Sequence, residues 1–499
     1  MEQFMKLKII VKHPADAYEI RELTRLFITE EDFLVLTEEE ANKSEEKADI
    51  NILVHFQHTE NETKLKLEKN GTTLKNMTTS FGLSSNPILQ RKNEKNQLKR
   101  MMFQLLQSWY PRHLPWGILT GVRPVKIAHE MLRKEPDCHQ AIENIQQDTL
   151  MSSEKAKLIT DIAQLQKNYL DTLEPDAISL YINIPLCPTK CTYCSFASQA
   201  LKSEDDPIIE SYLRGLMIEL ETVLSGLKAR NKKIRSLYIG GGTPSVMSAK
   251  QLNYFFLQLN SLWNLSQIDE ITFEGGRPDT LTPEKLRLLA EYPIHRISVN
   301  PQTLHDRTLQ KINRRHTVQD FFNVCNEAIK VGLDNINVDI IMGLPGETPD
   351  DFIQTLHQLQ SLNLESLTVH SLAMKRTAGL KKQQYRFEWD DHQARSMMQQ
   401  VYQFAELQKL EAYYLYRQKQ ILANMENVGF AKPDRACVYN ILMMEEMQTV
   451  LGIGAGAVSK LVFPDQNRVQ RVPGIKDILV YLNRMPEHEN KWEHVLSQL

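Results

Sequence analysis

SLYINIPLCPTKCTYCSF, residues 179–196, runs from a β-branched, apolar stretch straight into a loop that carries Cys187, Cys191 and Cys194. A strand ending in such a loop is the first of a series. Further short runs follow at SLYIG (236–240), EITFE (270–274), RISVN (296–300), NINVDI (335–340) and ESLTVH (365–370). Amphipathic stretches such as IIESYLRGLMIELETVLSGLKAR separate them, and several helix starts are explicit: Thr282-Pro283, Thr317 with Asp320, and Thr348-Pro349 with Asp351. A hydroxyl that caps the first turn, with Pro pre-set at the first helical position, marks an amino-terminal helix end. Strands alternating with helices make parallel βαβ units. Six of them predict an α/β fold, a (β/α)6 partial TIM-like barrel, with an open doubly wound sheet as the alternative.

The flanks read differently. Residues 1–80 alternate with a period near two (KLKIIVKH, NILVHF, TKLKLEKNGTTLK), which predicts a small α/β module with Asn70-Gly71 as a hairpin turn. Residues 81–172 turn helical and form an extension interrupted by PRHLPWGILTGVRPVK. The barrel then occupies 173–376, and a mainly helical domain over 377–499 closes it, with Gly452, Gly454 and Gly456 marking a place where backbone or ligand comes close.

Whole-chain quantities exclude several classes. With 42% hydrophobic and 24% charged residues the 499-residue chain is neither disordered nor collagen-like. Lys and Arg number 59 and Asp and Glu 62, a net charge of −3, so bulk electrostatics recruit neither nucleic acid nor an anionic membrane. Six cysteines are too few for a disulfide scaffold, and three crowd into eight positions. The amino-terminal residues lack a signal-peptide core and no window is apolar enough for a membrane span, so the expectation is a cytoplasmic protein.

Three thiolates in a CxxxCxxC loop can hold three irons of a 4Fe-4S cube and leave the fourth iron open, whereas electron-transfer clusters normally use four. Zinc is the alternative, and would need a fourth ligand from Cys138, Cys325, Cys437 or a histidine. In a parallel barrel, functional residues gather at the carboxyl ends of the strands. Those ends carry Gly240-Gly241-Gly242-Thr243-Pro244, Glu274-Gly275-Gly276-Arg277, Asn300-Pro301-Gln302, Asp339 and His370. The glycines let backbone groups approach a small polar ligand, and Glu274, Gln302 and Asp339 supply hydrogen bonds around one mouth.

Taken together, YINIPLCPTKCTYCSF, LYIGGGTPS, ITFEGGRPDT, RISVNPQTL, NRRH and VDIIMGLPGET resemble the radical S-adenosyl-L-methionine (SAM) enzymes. More narrowly, over about residues 175–460, they resemble the oxygen-independent coproporphyrinogen III oxidases and their relatives, and the long amino-terminal extension is similar to a Bacillus-type oxidase-like branch. The resemblance implies that Cys187, Cys191 and Cys194 ligate a 4Fe-4S cluster. It implies that Tyr181, Gly241, Glu274 and, in the glycine-rich segment, Val458 meet a first SAM. Tyr193, Gly242, Thr243, Gln302, Arg314, Asp339 and Ala373 match positions that meet a second.

The implied chemistry is reductive cleavage of SAM to a 5′-deoxyadenosyl radical and oxidative decarboxylation of coproporphyrinogen III to protoporphyrinogen IX. A reductant protein such as flavodoxin or ferredoxin and an electron acceptor would serve it. A substrate with four carboxylates makes Arg277, Arg314, Lys375 and Arg376 candidate contacts. Three positions depart from the relatives. Asn183 and Phe196 stand where the oxidases carry His and Cys, and Tyr439-Asn440 where a haem-chaperone branch carries His-Asn. A haem-binding or haem-transfer protein that keeps the cluster and SAM pocket is therefore a second reading, and radical modification of another substrate a third.

Overall fold

The computed structural model describes residues 7–28, 30–43, 52–58, 62–69, 72–80, 85–203, 205–466 and 468–499. The chain divides into two units, Met1–Thr160 and Asp161–Leu499.

In the first unit the sheet order is β2 (Phe33–Thr37), β1 (Leu7–Val11), β3 (Ile52–His58), β4 (Glu62–Lys69), β5 (Thr72–Ser80). The first three strands run parallel and the last two antiparallel. The alternation read from the sequence is the burial pattern: Leu7, Ile9 and Val11 point inward. They meet Ile20 and Leu23 of α1 (Pro14–Thr24) and Leu98, Met101, Met102 and Leu105 of α2 (Pro87–Trp109). Sequence periodicity changes near residue 80, but packing does not stop there, because α2 covers the sheet's apolar face and shares its core. Asn70-Gly71, the expected hairpin turn, lies outside the described residues.

The second unit is built on the six parallel strands expected from the sequence: β6 (Ala177–Ile184), β7 (Lys233–Gly241), β8 (Glu270–Gly276), β9 (Arg296–Val299), β10 (Ile336–Met342) and β11 (Ser366–Ser371). Helices α3 (Ile208–Lys228), α4 (Ala249–Leu262), α5 (Pro283–Ala290), α6 (Val318–Lys330) and α7 (Pro349–Leu359) alternate with them. Covered on both faces, the strands are almost wholly buried, β9 throughout, so they read as continuous apolar runs rather than alternating ones. The caps form as the sequence dictates. Thr282 accepts from Lys285 N, and Thr317 with Asp320 and Thr348 with Asp351 close reciprocal capping boxes.

The sheet does not close on itself. After α8 (Asp391–Leu407), strands β12 (Glu411–Arg417) and β13 (Glu426–Ala431) add antiparallel beyond β11. After α9 (Val438–Glu445), β14 (Val450–Ile453) pairs parallel with β6, and β15 (Val458–Phe463) and β16 (Arg468–Pro473) continue outward from it. The carboxyl-terminal region thus supplies helices, ending with α10 (Met485–Leu496), and extends both edges of the barrel sheet. Among the described residues no helix is long and apolar enough to cross a membrane.

Candidate active site

A cavity of about 710 Å³ opens at the carboxyl ends of β6 to β11. Cys187, Cys191 and Cys194 line it, as do Tyr181, Tyr193, Gly241, Gly242, Thr243, Glu274, Gln302, Arg314, Asp339, Ala373 and Val458. Of the cations expected at a substrate, Arg277, Arg314 and Lys375 are there as well. Arg376 is not: it is exposed, at the second position of a turn closed by Ala378 N donating to Lys375 O at 3.0 Å. Adjacent residues of a turn diverge, so only the half-buried Lys375 faces inward.

The cysteine loop is braced from three sides. Thr243 Oγ1 donates to Cys187 Sγ at 3.6 Å, and Thr189 Oγ1 donates to Asn313 O at 2.8 Å. Arg277 Nη1 donates to Thr189 Oγ1 at 2.6 Å, while its Nε and Nη2 grip both oxygens of Asp279 at 3.0 and 2.9 Å. This fork is already filled, so Arg277 braces the loop rather than offering a free site for a carboxylate. Arg314 is also committed, donating to Asn300 O at 2.6 Å and Tyr193 OH at 3.2 Å, with Cys191 Sγ 3.9 Å away.

Burial pushes the Cys187 thiol up and the Cys194 thiol up to about 11, so a metal must displace their protons on binding. Cys325 and Cys437 are buried elsewhere, Cys437 against Glu270 and Thr272, and Cys138 belongs to the first unit. The donor set at the cavity is three thiols from one loop, and it fits a cube that keeps one iron open.

Two half-buried carboxylates line the same cavity in different surroundings. Burial, reinforced by the charge of Asp339, pushes the Glu274 carboxyl up to about 7, although it accepts from Gly241 N at 3.3 Å. Despite its own burial Asp339 is held below the usual carboxylate range by His370, whose Nε2 lies 3.5 Å from it, and by Asn337 Nδ2, which donates at 2.7 Å. Glycine is required at the turn after β7. Gly241 has φ +110°, and a Cβ there would lie 1.8 Å from Asn183 Oδ1; at Gly242 it would lie 2.4 Å from Leu186 O.

Asn183 is a structural junction. Tyr181 OH donates to its Oδ1 at 3.0 Å, and its Nδ2 donates to Ala455 O in the turn that leads to Val458. Tyr212 OH donates to Asn183 O at 2.6 Å and accepts from Ala455 N at 3.0 Å.

The sequence reading missed an aromatic wall. Tyr238, Tyr414, Tyr416 and Tyr439 line the cavity beside Tyr181. Tyr238 stacks on Tyr439 with centroids 4.6 Å apart, Tyr439 on Tyr181 at 6.0 Å, and His370 Nδ1 lies 3.1 Å from Tyr416 OH. The signal was present in YYLYRQ, where Tyr414 and Tyr416 lie two apart on a strand and so share a face. Tyr439 arrives by another route: the Glu270 carboxylate at the start of β8 accepts from Val438 N at 2.8 Å and Tyr439 N at 3.1 Å, capping α9 from a different element.

Comparison with known proteins agrees with this geometry. The family model described as the radical SAM superfamily matches residues 181–359. The oxygen-independent coproporphyrinogen-III oxidase-like protein HemZ of Bacillus subtilis (strain 168) is 35% identical over 463 residues, 91% of this chain and 92% of that protein. The heme chaperone HemW of the same organism is 29% identical over 282 residues, 56% of this chain and 70% of that one. Among solved structures, the coproporphyrinogen III oxidase HemN of Escherichia coli superposes with a TM-score of 0.50 at 21% identity, covering 66% of this chain and 73% of that one, a likeness of fold.

Proposed function

Because the chain belongs to the oxygen-independent coproporphyrinogen-III oxidase-like family of radical SAM proteins, we propose that it oxidatively decarboxylates coproporphyrinogen III to protoporphyrinogen IX. The observation that carries this reading is convergence: three thiols of one loop and every position matched to SAM share one cavity. Each of two propionates loses a hydrogen atom, CO2 and one electron and becomes a vinyl group. When bound, a 4Fe-4S cluster and SAM would supply the radical chemistry that removes the hydrogen atom.

This chain's residues hold, orient and enclose. Cys187, Cys191 and Cys194 ligate three irons, and the Arg277–Asp279 pair, Thr189 and Arg314 fix the loop that carries them. Tyr181, Gly241, Glu274 and Val458 hold a first SAM; Tyr193, Gly242, Thr243, Gln302, Arg314, Asp339 and Ala373 hold a second. Glu274, its carboxyl pushed up to about 7 by burial and by Asp339, would accept from a ribose hydroxyl in its charged form. Of the cations singled out in the sequence, Lys375 is the one left for a propionate. Tyr238, Tyr414, Tyr416 and Tyr439 wall the cavity beside Tyr181 and would limit bulk water around the reacting groups. A low-potential reductant, an electron acceptor and a reducing, cytoplasmic compartment complete the reading.

A second reading, haem binding or transfer, is favoured by Asn183 and Phe196 and by the likeness to the heme chaperone. One anaerobic assay separates them, using reconstituted cluster, SAM, dithionite and coproporphyrinogen III. Substrate-dependent 5′-deoxyadenosine with loss of two CO2 per tetrapyrrole is the expected result. Formation of 5′-deoxyadenosine without decarboxylation, together with stoichiometric haem binding, would replace the first reading by the second.

A further inference from the structure

We propose that a basic surface laid over the cysteine loop docks an acidic, low-potential one-electron carrier protein. The inference rests on the reading of Cys187, Cys191 and Cys194 as cluster ligands. Its starting point is Arg376, which the cavity does not use. The segment 375–386, KRTAGLKKQQYR, holds five Lys and Arg and no Asp or Glu, in a chain whose net charge is −3. Arg376, Lys381, Lys382 and Arg386 are exposed, and none of the four forms an ion pair among the described residues.

The segment is fastened to the loop itself. Leu380 N donates to Thr192 O at 2.9 Å and Thr377 Oγ1 donates to Ser195 O at 3.1 Å, so the segment touches the residues after Cys191 and Cys194. Two more exposed cations adjoin. Lys190 lies between Cys187 and Cys191, and its carbonyl accepts from Asn313 Nδ2 at 2.9 Å, two residues before Arg315. Phe196, 60% exposed, follows the loop at the cavity rim. Cations around one exposed aromatic make an interface that steers an acidic partner and seats it on an apolar anchor.

Position selects the occupant. Transfer between proteins weakens steeply with separation, and a partner seated on these cations lies against the loop that would hold the irons. The carrier gives up one electron and the cluster gains it; no proton or group need move. A nucleic acid would meet the same charge, but it has no electron to deliver and no use for Phe196 at the cluster rim.

The test compares wild type with R376E/K381E/K382E, using flavodoxin as the probe: oxidised for binding by fluorescence anisotropy, and as the hydroquinone for anaerobic stopped-flow reduction of the cluster. Charge reversal is expected to weaken binding and slow second-order reduction by about tenfold or more at low salt. The wild-type rate should fall as salt rises while the variant's stays flat. Iron content, SAM binding and the dithionite-reduced spectrum should not change. Should circular dichroism show the triple variant misfolded, R376E and K382E singly carry the same test. Equal binding and equal rates in wild type and variants overturn the proposal. So does a variant that loses binding of a single-stranded RNA but keeps its flavodoxin rate. A wild-type protein that takes up no iron defeats the cluster reading instead, and flavodoxin binding to that iron-free chain still decides whether the surface docks an acidic protein.

Discussion

Asn183 ties together two parts of the site's wall. Its side chain is 8% exposed and its amide joins Tyr181 to Ala455, so strand β6 and the turn before β15 move as one. An amide does this with a fixed donor and a fixed acceptor and carries no charge, whereas an imidazole in the same place titrates near neutral pH. In Asn183→Ala the Tyr181 hydroxyl and the Ala455 carbonyl lose their partners in a buried place, a cost of about 1–3 kcal/mol. We expect a lower urea midpoint by that amount and weaker SAM binding in equilibrium dialysis, with iron content retained because the cysteine loop is braced independently by Arg277 and Thr243. Loss of iron with unchanged SAM binding would show that the amide serves the loop and not the turn. Legible in the sequence were the three clustered cysteines and glycines such as Gly241, which the structure brings to one cavity. Arg277 is legible in the sequence as a cation near the site, but only the fold shows that Asp279 turns back to fill its guanidinium.

Elements are held by charge as well as by burial, and this is clearest between α1 and α2. Arg91, Lys95 and Lys99 recur every four residues along one face of α2 and meet Asp16 and Glu19 of α1 at 2.6, 3.3 and 3.1 Å. Burial alone would raise the Glu19 carboxyl, but Lys99, Thr120 and Lys95 overcome it and hold the group well below the usual range, at about 2. A carboxyl with a depressed folded value stabilises the fold above its ordinary range and loses that contribution as the pH falls toward the depressed value. The window here is therefore from about pH 4.5 down to about pH 2. Without screening the shift would be worth about 3 kcal/mol; for a side chain this exposed about 1–2 kcal/mol is expected. Urea titrations across that window should show wild type losing this amount relative to Glu19→Gln, and parallel curves would remove Glu19 from the acid response. The parallel strands were legible because continuous burial gives short apolar runs bounded by turn residues. β13 was not: ENVGFA is buried at every position, so it shows no alternation, and its polar Glu426 and Asn427 conceal the burial.

At the scale of the molecule, one carboxylate fastens the chain's end to the cavity. Glu219 lies in the middle of α3, where sequence alone assigns a charge to the solvated face, because its partners arrive 235 to 273 residues later. It is 1% exposed and accepts from Gly454 N at 2.8 Å, Tyr481 OH at 2.7 Å and Trp492 Nε1 at 2.7 Å, with His488 and Lys491 within 3.7 Å. Burial would raise its carboxyl, yet His488, Lys491 and the donors hold it below the usual range, so it stays charged and the hub stays intact near neutral pH. Gly454 has φ +95° and begins the turn through Gly456, Ala457 and Val458 that walls the cavity, so α10 bears on the site through one side chain. Replacing Glu219 by Ala leaves three buried donors and a cationic Lys491 without an acceptor, a loss of about 3–5 kcal/mol in this setting. Glu219→Gln keeps the size but exchanges an acceptor oxygen for a donor facing donors, and should lose nearly as much. Both variants should free α10 to proteolysis and weaken SAM binding together, and SAM should in turn protect α10 in the wild type. If α10 becomes protease-sensitive while SAM binds as before, the carboxyl-terminal helix stabilises the fold without shaping the site, and the glycine turn holds its form through Asn183 and Tyr212 alone.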